Sequence, residues 1–194
     1  MTRRHLVLFV RAPALGRGKR RLAAAIGDVA AVRFERLMLA RLVRRLGRDQ
    51  RWRLRLAVTP DRARLPRLGL VPITGQGRGD LGVRMAHALA ACPPGPKVLI
   101  GADIPALSAG HIADAFRLLG RHDLVFGPAR DGGFWLVGAR HHPPDFGTVR
   151  WSSPHALADV LGHLPRRLSV GFAATLDDVD DAASYRRLAP RGGL

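Results

Sequence analysis

The chain has 194 residues, is 47% apolar, carries a formal charge of +17 and holds one cysteine, Cys92. That is enough chain for one well-buried core but not for two comfortable domains, so a single domain over 1-194 is expected. No apolar run approaches the roughly 18 residues that cross a bilayer. A lone cysteine excludes an intramolecular disulfide and a cysteine-built zinc site, and fits a reducing, cytoplasmic setting.

The first apolar run, His5 to Val10, is cut short by Arg11 and reads as a strand rather than a leader core. It ends in the loop RAPALGRGKRRL, Arg11 to Leu22, which has Gly16 and Gly18, no acid and a dense cationic end. Amides at a helix start, together with Lys19, Arg20 and Arg21, can cradle a diphosphate. The spacing matches neither GxxxxGK[ST] nor a complete dinucleotide fingerprint, so a plain basic surface loop stays open.

Helices are expected over Lys19 to Ile26 and Val29 to Gly47. In the second, Leu39, Leu42, Val43 and Leu46 fall at helical spacing, and Arg41, Arg44, Arg45 and Arg48 repeat it two residues later. Two residues is about 200° of helix, so these arginines face away from the buried stripe. With no aromatic side chains interleaved to stack bases, the charge reads as a solvated face, with no specific nucleic acid as partner.

Strands follow at Arg53 to Thr59 and Leu70 to Thr74. Asp80, in QGRGDLGVRM, opens a helix over Asp80 to Ala91 and reads as its cap or as a ribose or base contact. The strand Lys97 to Gly101 runs straight into Ala102 and Asp103, which puts a carboxylate where open sheets deliver ligands to solvent. An acid there can hold Mg²⁺ or Mn²⁺ against a diphosphate, or simply form the turn before Pro105.

After a helix over Ser108 to Gly120, the strands Asp123 to Gly127 and Phe134 to Ala139 are joined only by PARDGG. That link is too short for a crossover between parallel strands, so one of the pair is expected to run antiparallel. Within it, Asp131, Gly132 and Gly133 sit beside Phe134 and Trp135, which can wall a sugar or base; a hairpin turn with buried aromatics is the plainer reading. A helix at Pro154 to Leu161, a strand at Leu168 to Ala174 and a helix at Asp181 to Leu188 complete the chain. LDDVDD, Leu176 to Asp181, clusters four acids in a chain poor in acid, and Asp180 is a candidate second metal ligand. The alternation predicts an α/β fold, a mostly parallel mixed sheet between helical layers.

RAPALGRGKRRLAAAIG, QGRGDLGVRM, LIGADIPAL, GPARDGGFWLVG, Trp151-Ser152-Ser153 and LDDVD occur in the order found in the DUF2064 family, the bacterial glycosyltransferase-like proteins also called selenodomain-associated transferase 1, which the chain resembles over nearly its whole length. The resemblance implies a GT-A-type nucleotide-diphospho-sugar transferase fold. It also implies phosphate-facing roles for Arg17, Lys19 and Arg21, metal binding by Asp103, and an acceptor-side loop at Asp131, Gly132 and Gly133. Leu15 stands in place of a usual Pro, Gly18 of a Val, Arg20 of a Thr and Phe134 of a Tyr.

The leading expectation is therefore transfer of a sugar from a nucleoside diphosphate sugar to a small acceptor. Arg11, Gly16, Arg17, Lys19, Arg21 and Asp80 are the nucleotide-side residues, Asp103 and Asp180 the metal ligands. Asp131 is the candidate base, and Gly132, Gly133, Phe134 and Trp135 are the acceptor-side residues. The KRRL element also resembles the phosphate loop of phospholactate guanylyltransferases, so nucleotidyl transfer from an NTP to a phosphorylated or carboxylated metabolite is the second reading. A non-enzymatic nucleic-acid-binding module driven by charge is the third; it leaves the ordered acid and glycine motifs without a purpose.

Overall fold

The computed structural model describes residues 2–63, 65 and 68–176. Strand β1, His5–Arg11, is followed by helices α1, Arg20–Ile26, and α2, Asp28–Gly47. Next come β2 (Arg53–Thr59), β3 (Ile73–Gly75), α3 (Leu81–Ala90), β4 (Lys97–Gly101) and α4 (Ala109–Leu118). The hairpin of β5 (Leu124–Pro128) and β6 (Phe134–Ala139) leads to α5 (Ala156–His163) and β7 (Val170–Phe172).

The strands form one sheet in the order β3-β2-β1-β4-β6-β5-β7. Strand β6 runs antiparallel to both β4 and β5, while the remaining pairings are parallel. This reversal is the one that the short PARDGG link demands. It brings the start of β6 to the edge where β1 and β4 end, since Leu136 pairs with Ile100 and Phe9 with Gly101.

Alternation along β1 sorts the two helical layers. Leu6, Leu8 and Val10 pack with Leu39, Leu42 and Leu46 of α2 and with Ile112 and Phe116 of α4. Val7 faces the opposite way, into a cluster with Met85 and Leu89 of α3 and Val160 of α5. Strand period two thus gives one strand two apolar faces, each covered by helices. Helix α1 adds a small satellite, Leu22 against Ala31, Phe34 and Met38.

Side-chain caps set the starts of α3 and α4. Asp80 caps α3, its side chain accepting from Val83 N–H at 2.9 Å. Ser108 and His111 form a reciprocal capping box at α4. Helix α5 starts two residues later than the sequence indicated, because the preceding turn carries Ser152 at a φ of 59° and Ser153 bonded back to Arg150 O. The strand expected over Leu70 to Thr74 is reduced to Ile73–Gly75, with Leu70 wholly exposed. Only the residues opposite Leu56, Ala57 and Val58 find a ladder there. The helix expected over Asp181 to Leu188 lies outside the described residues.

Candidate active site

The loop after β1 and the loop after β4 meet at one ion pair. Lys19 Nζ donates to Asp103 Oδ2 at 2.8 Å; the lysine side chain is 10% exposed and the carboxylate 39%. A nearly buried ammonium on a half-open carboxylate leaves the outer side of Asp103 turned toward ligand space.

Glu35, on α2, is the acid that the sequence reading passed over. Its Oε1 accepts from the Lys19 backbone N–H at 3.2 Å. Burial pushes the Glu35 carboxyl above its ordinary value, with the Lys19 amide and ammonium opposing that shift. The signal was present: Ala31, Glu35, Leu39 and Leu42 fall on one helical stripe whose other members are buried. An acid on an apolar stripe needs a partner, and here the partner is the phosphate-type loop itself. A Cβ at Gly18 would stand 2.7 Å from Glu35 Oε1, so a glycine at this position makes room for the carboxylate. The Lys19 amide is accordingly spent on Glu35 and is not among those a ligand would meet at this helix start.

Around this pair lies a cavity of about 420 Å³, walled in part by Arg11, Lys19, Glu35, Asp103, Phe134 and Trp135. Phe9 also lines it, and the Arg84 guanidinium lies 5.7 Å from the centre of the Phe9 ring. Arg84 in turn donates to Gln76 Oε1. Buried Gln76 closes the end of the sheet by donating to Val10 O at 3.0 Å and Ala57 O at 2.8 Å.

A second cavity of about 220 Å³ adjoins the first and shares Asp103, Phe134 and Trp135 with it; Asp131, Gly133 and Trp151 complete its far side. Asp131 is exposed, with Oδ1 accepting from Gly133 N–H at 2.9 Å. Phe134 sits in an aromatic cluster, its ring parallel to Phe146 at 6.4 Å and edge-on to Trp151 at 6.3 Å. Gly82 lets Phe146 and Trp151 lie against α3, since a Cβ there would stand 2.8 Å from the Trp151 ring and 2.9 Å from Phe146 Cβ. Trp135 is buried, anchored by its Nε1–H to Ala174 O at 2.9 Å.

The other expected site residues lie apart from this junction. Gly132 lines neither cavity: at a φ of 85° it packs against Pro154, and its carbonyl accepts from Leu157 N–H. Its contacts are those of the hairpin framework. Asp80 is exposed and spent on capping α3. Gly16 and Arg17 line a further cleft between the loop and α2 that shares Gly18, Lys19 and Glu35 with the larger cavity, and Arg21 is exposed and lines neither of the two adjoining cavities. Asp180 lies outside the described residues.

Among the described residues, no three His, Cys, Asp or Glu side chains gather as a metal cage. A hard cation carried on a diphosphate needs only one or two protein carboxylates, with phosphate oxygens and water completing its shell. Asp103 meets that need, since Oδ2 holds Lys19 and the partly exposed group has further lone pairs.

Residues 42–153 match the family described as "Uncharacterized protein conserved in bacteria (DUF2064)". No curated protein matches the chain. Among solved structures, a protein from Desulfovibrio desulfuricans G20, provisionally named a nucleotide-diphospho-sugar transferase, superposes with a TM-score of 0.89 at 28% identity, covering 98% of this chain and 87% of that one. The fold is therefore that of the nucleotide-diphospho-sugar transferase type. 4-Diphosphocytidyl-2C-methyl-D-erythritol synthase from Anaerococcus prevotii DSM 20548 has the fold at a TM-score of 0.60 and 9% identity, over 96% of both chains. Rv0371c from Mycobacterium tuberculosis H37Rv, solved with manganese, has it at 0.53 and 17%, over 98% of this chain and 100% of that one.

Proposed function

This chain belongs to the DUF2064 family, and on that footing we propose that it transfers a glycosyl group from a nucleoside diphosphate sugar to a small acceptor. The observation that carries the reading is the junction of two cavities at Asp103, Phe134 and Trp135. The larger offers Lys19 and Arg11 to a diphosphate, and the smaller offers Asp131 to an acceptor hydroxyl. The provisional name of the Desulfovibrio neighbour supports the same class.

In this reading Lys19 and Arg11 bind the diphosphate and offset the charge that develops as it leaves. Arg17 and Arg21, both exposed, add positive charge to the same loop and helix start. Asp103 would hold a divalent Mg²⁺ or Mn²⁺, with Asp180 as a second ligand. That ion would supply Lewis-acid neutralisation of the diphosphate. The acceptor oxygen forms its bond to the sugar's anomeric carbon as the bond from that carbon to the diphosphate oxygen breaks. The electron pair leaves with the diphosphate, and the hydroxyl proton passes to the Asp131 carboxylate. Phe134 and Trp135 exclude water from the junction. We place this chemistry in the cytoplasm; among the described residues no helix is long and apolar enough to cross a membrane.

The test is a thermal-shift panel of UDP, GDP, CDP, ADP, GTP and CTP, each with and without Mg²⁺ or Mn²⁺. A ligand at 100 times its Kd stabilises by about 2.7 kcal/mol. A metal-dependent shift with one diphosphate supports the proposal and names the base. A shift confined to a triphosphate overturns it in favour of nucleotidyl transfer, and no shift at all removes the nucleotide.

A further inference from the structure

We propose that the smaller cavity takes a hydroxylated acceptor without negative charge, a neutral sugar or polyol ring or its amino-substituted form, and discriminates against phosphorylated and carboxylated acceptors. This rests on the glycosyl-transfer reading and names the acceptor class for it.

The wall runs against the character of the chain. The protein carries a formal charge of +17, yet the ionic side chains among the described residues of this cavity are two carboxylates, Asp103 and Asp131. Two nearby arginines have partners of their own: Arg150 forms a bidentate pair with Asp159, and Arg84 lies over the ring of Phe9, which lines the neighbouring cavity. Asp103 already holds Lys19, and in this reading it would also hold the cation that the diphosphate neutralises, so it adds no free charge to the wall. The charge that an acceptor meets first is that of exposed Asp131, whose described partner is the neutral Gly133 amide. A phosphate or carboxylate on the acceptor would be repelled there, and an ammonium would be drawn in.

The rest of the wall fits a ring with one apolar face. Phe134, Trp135 and Trp151 present aromatic surface, held in place by the stack of Phe134 on Phe146 and by the anchor of Trp135 on Ala174. Polyhydroxylated rings expose C–H groups on one face and hydroxyls at the rim, so the face packs on aromatic carbon while the rim hydroxyls donate to carboxylate. A volume of about 220 Å³ lies below the roughly 300–1,000 Å³ of drug-sized pockets, which suits a single ring.

The experiment measures binding of four matched probes to the full chain by ligand-observed NMR: methyl glucoside, glucosamine, glucose 6-phosphate and glucuronate. Each is measured with and without the nucleoside diphosphate and metal selected by the thermal panel. The neutral and amino probes are expected to bind at least tenfold tighter than the two anions. Asp131→Asn should shrink that gap several-fold and weaken glucosamine more than methyl glucoside. Anionic probes binding as tightly as the neutral one, or no sugar binding at all, would overturn the assignment. Should the neutral and amino probes bind selectively while no nucleotide shifts the protein, the acceptor class stands and the glycosyl-transfer reading falls.

Discussion

Lys19 Nζ and Asp103 Oδ2 lie 2.8 Å apart although 84 residues separate them in sequence. One sits in the loop after β1 and the other in the loop after β4, and because β1 and β4 are adjacent parallel strands, both loops leave the sheet at the same edge. The pair is part of the candidate site first and a stabilising contact second.

Asp103→Ala is expected to abolish nucleotide-sugar turnover while the fold survives, and Lys19→Met to lower kcat/KM by roughly a hundredfold or more. Because the two side chains act as a unit, the double variant should lose little beyond the worse single one. Because the Lys19 ammonium is nearly buried, Asp103→Ala should also cost roughly 1–3 kcal/mol of stability by leaving that charge unpaired. Steady-state kinetics and urea denaturation of the three variants check this; retained turnover in Asp103→Ala would remove the metal assignment.

Glu35 links the site to pH. Its carboxyl is raised by burial above the ordinary 4.5, so the folded chain keeps this proton to a higher pH than the unfolded chain does. Between 4.5 and the raised value the folded state binds more protons, and stability therefore falls as pH rises through that window and levels off above it. Glu35→Gln keeps an acceptor for the Lys19 amide without the charge. Denaturation curves across the window should show the variant's stability relative to wild type rising with pH, and a parallel pair of profiles would contradict the burial argument.

Gly132→Ala is expected to cost roughly 2–4 kcal/mol, the sum of a left-handed backbone and a clash. At a φ of 85° its Cβ would stand 2.0 Å from Pro154 O, a backbone atom with nowhere to retreat. The loss should show in chemical denaturation. Gly16→Ala has a similar φ of 68° and no neighbour within 4 Å, so it serves as the control and should cost only about 1 kcal/mol.

Gln76→Leu should destabilise by roughly 2–4 kcal/mol, because the Val10 and Ala57 carbonyls lose their donor inside the protein. It also frees Arg84 from the Gln76 carbonyl. A weaker thermal shift with the preferred nucleotide is expected alongside the lower stability, since Arg84 lies over Phe9 in the wall of the larger cavity.

The local chemistry of the chain was sufficient for its elements and for the reversal in the sheet. Apolar runs of strand length at β1, β2 and β4, the caps Asp80 and Ser108, and the six-residue link before Phe134 all act over a few residues, and periodicity reports at that range. Strand β3 was overread because its extent depends on a ladder with β2, not on its own residues. Within the site, Lys19, Asp103, Asp131 and Phe134 were legible as residues standing at strand ends. Tertiary structure alone decided that Lys19 meets Asp103, that Glu35 turns inward to hold the loop, that Gly132 packs on Pro154, and that Asp103, Phe134 and Trp135 stand between two cavities. Each of those relationships joins positions far apart in sequence, and strand order and register, set by packing of the whole sheet between its helices, bring them together.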